Sequence, residues 1–324
     1  MTEVTIAVCT ANRPTLLSKL LSSLREQTYS HNLFEILIID NGTDKQTESV
    51  VRLHVPLTDI TTRYVHLTRP SLSMARNCAI DIFQGDILVF LDDDVYTDPT
   101  WLEIMMRAWK DFPTRMIGAV GGKILPDWAI DPGVFNDRRF WWLFSLLDYH
   151  RSLTVMKPPM LPFGANFALS RQAVEAVGYF DESLGRRGKT LLSGEEMKYL
   201  NQVRKEGYDI VYTPHAVVHH RVEEERLNIK WVLKRSLWEG ITLYVISVHS
   251  LAKTRRWLRT FHKAIEMVGY GILAWAVPAT KFQRLHWKIQ WYIRWGFLTA
   301  KRTLGGELKH TATDYGPEKL AIKK

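Results

Sequence analysis

Alternating strand and helix patterns over the first 125 residues or so most restrict the folds open to this chain. Short apolar runs at Val4–Cys9, Ile36–Asp40 and Asp86–Leu91 predict buried strands, and the segments between them have the apolar spacing of helices. Strands that alternate with helices build a parallel, doubly wound sheet. Ligands bind such sheets at the carboxyl ends of the strands, so polar residues that directly follow a strand are candidates for function.

The pattern is looser between residues 118 and 220. Strands are predicted at Ala119–Ile124, Ala165–Ser170 and Ile210–Tyr212, and helices at Arg171–Val177 and Gly194–Glu206. Beyond residue 227 the chain becomes helical and aromatic. No internal repeat or low-complexity linker separates these parts.

Three consecutive carboxylates, Asp92, Asp93 and Asp94, end the apolar strand in the segment ILVFLDDDVYTDP at 87–99. Neighbouring carboxylates repel one another and lose solvation when they are buried, and a divalent cation resolves this repulsion. Hard oxygen ligands favour magnesium or manganese. A polar strand end with a helix cap is the alternative, but a cap accounts for Asp98 and not for the three residues before it. The pattern therefore predicts a metal site.

Polar turns follow the first two predicted strands. The segment TANRP at 10–14 offers short hydrogen-bonding groups and the guanidinium of Arg13, which suit a base or a phosphate. The same residues are also ordinary turn chemistry, and so are Asp40-Asn41-Gly42. Arg76, in SLSMARNCAI, can face either a diphosphate or solvent. Each segment alone leaves the function undecided.

Taken together, these segments resemble the family-2 glycosyltransferases with the GT-A fold, over roughly residues 4–245. The resemblance implies an α/β, Rossmann-like, mainly parallel sheet with flanking helices. It places a catalytic domain at 1–226, with a nucleotide-binding half at 1–117 and an acceptor-binding half at 118–226, and a helical extension at 227–324. The family's Asp-x-Asp motif matches Asp92-Asp93-Asp94, with Asp92 facing the ribose and Asp94 binding the metal. The remaining residues that the match assigns to the nucleotide sugar are Thr10, Asn12, Arg13, Asp40, Arg76, Asp93 and Asn166.

Two further segments resemble the family's catalytic and metal-binding elements. Ser193-Gly194-Glu195-Glu196 corresponds to its Gly-Glu-Asp element and assigns Glu196 and Glu195 to catalysis, with Glu196 as the general base. This chain has Glu where Asp is usual, which moves the carboxylate outward by one methylene. Pro214–Val222 is similar to the family's late strand, in which the metal-binding histidine matches His220, with His219 as the alternate. Without the resemblance, the two glutamates would be read as an acidic helix N-terminus.

The resemblance implies an inverting transferase that moves a sugar from a nucleoside-diphosphate sugar, with a UDP-sugar favoured, and that uses Mn²⁺ or Mg²⁺. The acceptor would be a hydroxyl of a glycan or lipid-linked molecule in polysaccharide or glycolipid assembly. A sugar nucleotidyltransferase is the alternative enzyme, although TANRP lacks the Gly-rich basic loop of that class. A non-catalytic membrane-associated scaffold that retains the fold is the alternative outside catalysis.

The C-terminal part differs from the rest of the chain in charge and in aromatic content. From Arg226 onward there are 19 Lys and Arg against 5 Asp and Glu, and 7 of the 12 tryptophans lie there. The whole chain has a net charge of +9, so residues 1–225 carry −5. A mildly acidic body with a basic, Trp-rich tail is typical of a protein that sits on an anionic surface.

A stripe of Trp287, Trp291, Trp295 and Leu298 with a basic flank predicts an interfacial helix on an anionic membrane. The apolar runs at 241–252 and 267–279 are shorter than the roughly 20 residues that a membrane span needs. The alternative is that the tryptophans pack on the catalytic body or on a second subunit of a homo-oligomer. Nucleic acid is not an expected partner, because no recognition motif accompanies the charge.

The cysteines and the N-terminal segment predict a cellular compartment. Two cysteines, Cys9 and Cys78, form no disulfide framework, which fits a reducing compartment. The opening residues MTEVTIAVCT have the pattern of a first strand and not of a signal peptide. We therefore expect a cytoplasmic protein that binds peripherally to the inner face of the cell membrane.

Overall fold

The computed structural model describes residues 2–112, 114–188, 190–250 and 253–311. The strands are β1 Val4–Thr10, β2 Phe34–Asp40, β3 Thr61–His66, β4 Ile87–Asp92, β5 Val95–Thr97, β6 Ile117–Trp128, β7 Thr154–Val155, β8 Asn166–Ser170 and β9 Asp209–Val222. The α-helices are α1 Pro14–Arg25, α2 Gln46–His54, α3 Leu72–Ile82, α4 Trp101–Lys110, α5 Arg171–Val177, α6 Glu195–Lys205, α7 Ile229–Ser250, α8 Lys253–Ala276 and α9 Lys281–Thr311. The nine strands of these described residues belong to one sheet, in the order β3-β2-β1-β4-β8-β6-β9-β5, with β7 on β9.

The first half of the sheet is parallel, as the alternating pattern predicts. Strands β3, β2, β1 and β4 pair in parallel, so their carboxyl ends lie along one edge. Every residue of β2 is buried, as expected for a parallel strand covered by helices on both faces. Helix α1 turns Leu17, Leu20, Leu21 and Leu24 toward the core, the spacing that the sequence shows. The α/β fold is confirmed here.

The second half of the sheet is mixed. Strand β8 runs antiparallel to both β4 and β6, while β6 and β9 are parallel to each other. Strand β9 is much longer than the predicted Ile210–Tyr212, because it continues through Pro214 to Val222. The register with β6 jumps from Thr213 to Val217 at that point, so a bulge accommodates a residue that cannot donate to the ladder.

The C-terminal helices pack on the sheet and on one another. Helices α7 and α9 approach so closely at Gly240 and Gly296 that a side chain on either glycine would overlap the facing backbone. Val232, Leu285 and Ile289 belong to the same hydrophobic core as the sheet. The boundary predicted at residue 226 therefore does not coincide with a break in packing. Within the described residues, no helix is both long and apolar enough to cross a bilayer.

Helix α7 also contacts the loop that leads into α6. Leu184 and Leu192 of this loop pack with Trp238, Ile241 and Val245 of α7 in a second hydrophobic cluster. The backbone N–H of Ser193 donates to Thr242 Oγ1 at 3.2 Å. The start of α6 is therefore supported by a helix from the C-terminal part of the chain.

The tryptophan stripe predicted on α9 is only partly exposed. Trp291 stacks on Trp295 and meets Trp275 of α8 edge-on, with ring centroids 5.3 Å apart in both pairs. Ile289 is buried toward the core, which explains why apolar residues occur on both sides of the stripe. More of the exposed large apolar side chains lie on the neighbouring helix α8 than on α9. Residues 312–324 of the predicted extension lie outside the described residues.

Candidate active site

The three aspartates after β4 lie beside the turn that follows β1, because the two strands are paired with Cys9 opposite Asp92. Thr10 Oγ1 donates to Asp93 Oδ2 at 2.7 Å. Arg13 Nη1 donates to Asp93 Oδ1 at 3.0 Å and to Asp94 Oδ2 at 2.9 Å. Burial and the nearby Asp94 raise the pKa of Asp93, although Arg13 opposes the shift. The structure thus brings Thr10 and Arg13 together with the aspartates, and their contact with a nucleotide sugar stays a prediction.

Asp94 is the most heavily paired carboxylate of the cluster. His220 Nε2 lies 3.1 Å from Asp94 Oδ1, and Arg226 Nη2 lies 3.2 Å from Asp94 Oδ2. Burial acts to raise the pKa of Asp94, but His220, Arg226 and Arg13 outweigh it and hold that pKa well below its usual value. Asp94 is therefore a buried, ionised carboxylate with an imidazole beside it.

Arg76, on α3, connects the strand-end carboxylates to the start of α6. Its guanidinium donates to Glu195 Oε1 at 2.7 Å, lies 3.7 Å from Asp92 and approaches Glu196 at 4.0 Å. Gly164 leaves the space that the guanidinium fills. Three phenylalanine rings surround the guanidinium with centroids 5.6–5.8 Å away: Phe90, Phe167 and Phe180. The buried guanidinium of Arg76, held by these contacts, fixes the two halves of the site relative to each other.

Glu195 and Glu196 open α6 but differ in their surroundings. The Glu195 side chain is 3% exposed and is bound to Arg76, whereas that of Glu196 is 17% exposed. Burial, with the neighbouring Glu196 carboxylate, raises the pKa of Glu195 to about 8 against the opposing charge of Arg76. Gly194 precedes them with a φ of +90°, a conformation that suits glycine. Glu196 is thus the more exposed of the two carboxylates.

Asn166 and His219 lie outside this cluster. Asn166 is fully buried, accepts from Trp101 Nε1 at 3.0 Å and donates to the carbonyl oxygens of Lys123 and Ala216. It joins strands and has no group free for a sugar, so we leave it out of the proposed donor site. His219 points to the opposite face of β9 from His220, where it pairs with Asp98 at 3.0 Å. That pairing removes the alternate histidine from Asp94.

Asn12 and Asp40 form the turns at the carboxyl ends of β1 and β2. Asn12, with a φ of +57°, accepts hydrogen bonds from the backbone N–H groups of Thr43 and Asp44. Asp40 is buried and accepts from Gly42 N and from Tyr64 Oη, both at 2.8 Å. Both side chains shape the rim of the nucleotide half, and their contact with a base stays a prediction.

Arg226 is a site residue that the sequence reasoning missed. It follows β9 by four residues, at the point where the composition becomes basic, and no motif distinguishes it from the other arginines there. Its Asp94 contact depends on β9 pairing with β5, which directly follows Asp94. A basic residue soon after a predicted metal-binding histidine is the one signal that could have identified it.

The chemistry of the donor set fits a divalent cation. Asp94 offers a carboxylate oxygen, the ligand type that manganese and magnesium take, and an imidazole nitrogen of His220, a ligand that suits transition metals, lies beside it. Among the described residues no group of three or more His, Cys, Asp or Glu side chains forms a complete cage. Two protein ligands leave positions for water and for the phosphates of a nucleotide, as is usual where a cation is bound with its substrate.

These features together define a GT-A glycosyltransferase. They are a Rossmann-like sheet, three aspartates at the end of one strand, a histidine on a late strand and a helix that begins with two glutamates. The model of the family described as glycosyl transferase family 2 matches residues 5–178, and the chain belongs to that family. It is 26% identical over 251 residues to a glucosyl-dolichyl phosphate glucuronosyltransferase of Haloferax volcanii, covering 76% of this chain and 78% of that protein. It is 29% identical over 243 residues to the succinoglycan biosynthesis protein ExoM of Rhizobium meliloti, covering 74% of each chain.

Solved structures share the fold over nearly the whole chain, including the C-terminal helices. A mannosyltransferase from Pyrobaculum calidifontis, solved with GDP-Man and Mn²⁺, matches with a TM-score of 0.58 at 19% identity, covering 97% of this chain and 76% of that one. Residues 1–349 of TarS from S. aureus, solved with UDP, match with a TM-score of 0.54 at 14% identity, covering 99% of this chain and 95% of that one.

Proposed function

We propose that this glycosyltransferase moves a sugar from a nucleoside-diphosphate sugar to an acceptor hydroxyl with inversion, and that Glu196 is the general base. The observation that carries the proposal is the position of Arg76 between Asp92 at the strand end and the glutamates that open α6. A donor held at the aspartates would present its anomeric carbon toward Glu196. The family assignment sets aside the nucleotidyltransferase alternative.

In this mechanism Glu196 takes the proton from the acceptor hydroxyl as its oxygen attacks the anomeric carbon. The bond from that carbon to the diphosphate oxygen breaks in the same displacement, so the configuration inverts. Glu195 and Arg76 hold each other and keep Glu196 in place. Arg13 and Arg226 supply positive charge close to the departing diphosphate.

Asp94 and His220 would hold Mn²⁺ or Mg²⁺, which when bound neutralises charge on the diphosphate leaving group. The donor set described above supports this assignment, and the mannosyltransferase with a similar fold was solved with Mn²⁺. We favour a UDP-sugar, in line with the UDP in the TarS structure. A glycan or lipid-linked acceptor is supported by the relatives, one named for a dolichyl phosphate and one for succinoglycan.

The test of this proposal is Glu196→Gln, which keeps the size of the side chain and removes its basicity. Transfer should fall by about 10²–10⁴, the usual worth of a general base, while UDP still binds in the presence of manganese. Glu206→Gln, at the other end of α6, is the matched control and should keep full activity. Calorimetry of UDP binding and a transfer assay with a panel of nucleotide sugars provide the measurements.

Two outcomes would contradict the proposal. If Glu196→Gln transfers normally while Glu195→Gln does not, the base is the buried glutamate. If the wild-type protein binds no nucleotide sugar with or without metal, the non-catalytic scaffold becomes the better explanation. Peripheral association with a membrane, through the C-terminal helices, is also part of this proposal.

A further inference from the structure

Helix α8 exposes a continuous apolar face. Seven large side chains are each 56–66% exposed: Trp257, Leu258, Phe261, Ile265, Val268, Ile272 and Trp275. Their spacing of three and four residues places them on one side of the helix along about 27 Å of its axis. Exposed apolar area of this extent is unusual on a monomeric protein and marks an interaction surface.

The opposite side of α8 is fixed to α9, so the apolar face is presented by a braced helix. Glu266 of α8 pairs with Arg294 of α9 at 3.1 Å, and Arg294 also lies over the ring of Tyr270, 4.6 Å from its centroid. Trp275 meets Trp291 edge-on. Helix α9 in turn packs against α7, which supports the start of α6. The exposed face is therefore connected to the catalytic body through packed helices.

The positive charge around the apolar face favours an anionic partner. Residues 253–305 contain eleven Lys and Arg and a single acidic residue, Glu266. Glu266 is already paired with Lys263 and Arg294, so it offers little negative charge to a partner. If a second copy of the chain docked through the apolar face of α8, two strongly positive pairs of helices would be brought together. An anionic lipid surface is attracted by the same charges.

The aromatic residues fit the same partner. Trp257 and Trp275 are eighteen residues apart, which is five full turns, so both lie on one edge of the apolar face. Trp295 of α9 is also exposed and stacks on Trp291, which in turn contacts Trp275. Tryptophan is favoured at the level of lipid headgroups, with aliphatic side chains deeper in the acyl region.

We propose that the apolar face of α8 inserts into the headgroup region of an anionic membrane, with the helix lying in the plane of the bilayer. This assigns the membrane contact mainly to α8 and only at its edge to the tryptophans of α9. It deepens the proposed membrane association and does not depend on the donor chemistry. Vesicle binding needs neither sugar donor nor acceptor, so its failure and a failure of transfer are separate results.

The experiment is co-sedimentation of the full-length protein with vesicles of phosphatidylcholine and phosphatidylglycerol mixed equally, compared with phosphatidylcholine alone. The double variant Ile265→Gln with Ile272→Gln removes apolar area from the centre of the face and leaves the charge unchanged. We expect it to weaken binding to the mixed vesicles by at least about tenfold. The matched control is Leu53→Gln with Leu57→Gln, which changes two leucines of similar exposure, 71% and 62%, away from α8.

The control variant should bind vesicles like the wild type, and thermal unfolding of both variants should match it because all four side chains are exposed. Added salt should weaken wild-type binding to the mixed vesicles without abolishing it, since the apolar contribution remains. A bilayer-sensitive fluorophore on Ile265→Cys should report an apolar environment only with vesicles. The proposal is overturned if wild-type protein stays in the supernatant at low salt, or if the α8 variant instead dissociates a dimer in analytical ultracentrifugation.

Discussion

The crossing of α7 and α9 provides a quantitative test of how the C-terminal helices support the active site. In Gly240→Ala, the new Cβ would lie 2.7 Å from Phe297 N, where ordinary contact begins at 3.4 Å, so the helices must separate by at least 0.7 Å. It would also overlap the Ile293 carbonyl oxygen, which cannot rotate away. Overpacking of this kind costs about 1–3 kcal/mol, against a gain in helix propensity of about 1 kcal/mol.

Gly269→Ala is the matched control, since Gly269 lies within α8 and nothing is within 4 Å of its added Cβ. It should keep the propensity gain without the clash, so the two variants should differ by the overpacking cost alone, about 1–3 kcal/mol. For a chain of 324 residues this difference corresponds to about 1–4 °C in Tm. The measurement is thermal unfolding by circular dichroism. If Gly240→Ala is as stable as Gly269→Ala, the helices do not approach as described.

Activity should respond as well, because α7 carries Thr242, the hydrogen-bond partner of Ser193 at the start of α6. A displacement approaching 1 Å at a catalytic group is enough to slow a reaction by up to about 10²-fold. We expect Gly240→Ala to lower kcat by about tenfold with little change in donor KM, and Gly269→Ala to leave both unchanged. Unchanged kcat in a destabilised Gly240→Ala protein would show that α7 does not position α6.

Three further predictions concern the site itself. Calorimetry should show that UDP binds more tightly with Mn²⁺ than with EDTA, and that Asp94→Ala abolishes this difference without a loss of helical structure. His220→Ala should do the same, whereas His219→Ala should retain the metal effect; the reverse pattern would exchange the two histidines. Burial raises the pKa of Glu195 from 4.5 to about 8. Between these pH values the folded protein keeps a proton that the unfolded chain releases. The contribution of Glu195 to stability should therefore fall as pH rises from 4.5 to 8. The Tm difference between wild type and Glu195→Gln should therefore change in favour of the variant from pH 4.5 to pH 8, and a constant difference would contradict the raised pKa.

The parts of the fold that could be predicted from sequence are those with a strong local pattern. The apolar run that ends in Asp92 is long enough to identify a buried strand, and the three carboxylates mark its exposed end. Helix α5 has the predicted bounds Arg171–Val177, because Ser170 caps it and Gly178 ends it. The order of such segments was sufficient for the family and the fold.

Other features depend on which distant residues meet, and the local pattern does not contain that information. His219 and His220 are neighbours that face opposite sides of β9, and only the pairing with β5 determines which one reaches Asp94. Asn166 is polar and lies two residues after Gly164, in a segment that resembles a sugar-binding one, yet its partners are Trp101 and two backbone carbonyls. The exposed apolar face of α8 could not be identified from the sequence, because its exposure depends on α9 covering the opposite side of α8.

The support that α7 gives to the start of α6 has a consequence for how this chain can be divided or recombined. A Cβ on Gly194 would lie 2.7 Å from Thr242 Cγ2, so the residue before the glutamates and the side chain on α7 fit each other as one surface. A fragment that stops after residue 226 would lack that surface and leave Leu184 and Leu192 uncovered. Chimaeras with homologous enzymes should therefore exchange the loop at 184–194 together with α7, and α9 as well, because these segments pack as one unit despite the distance between them in the sequence.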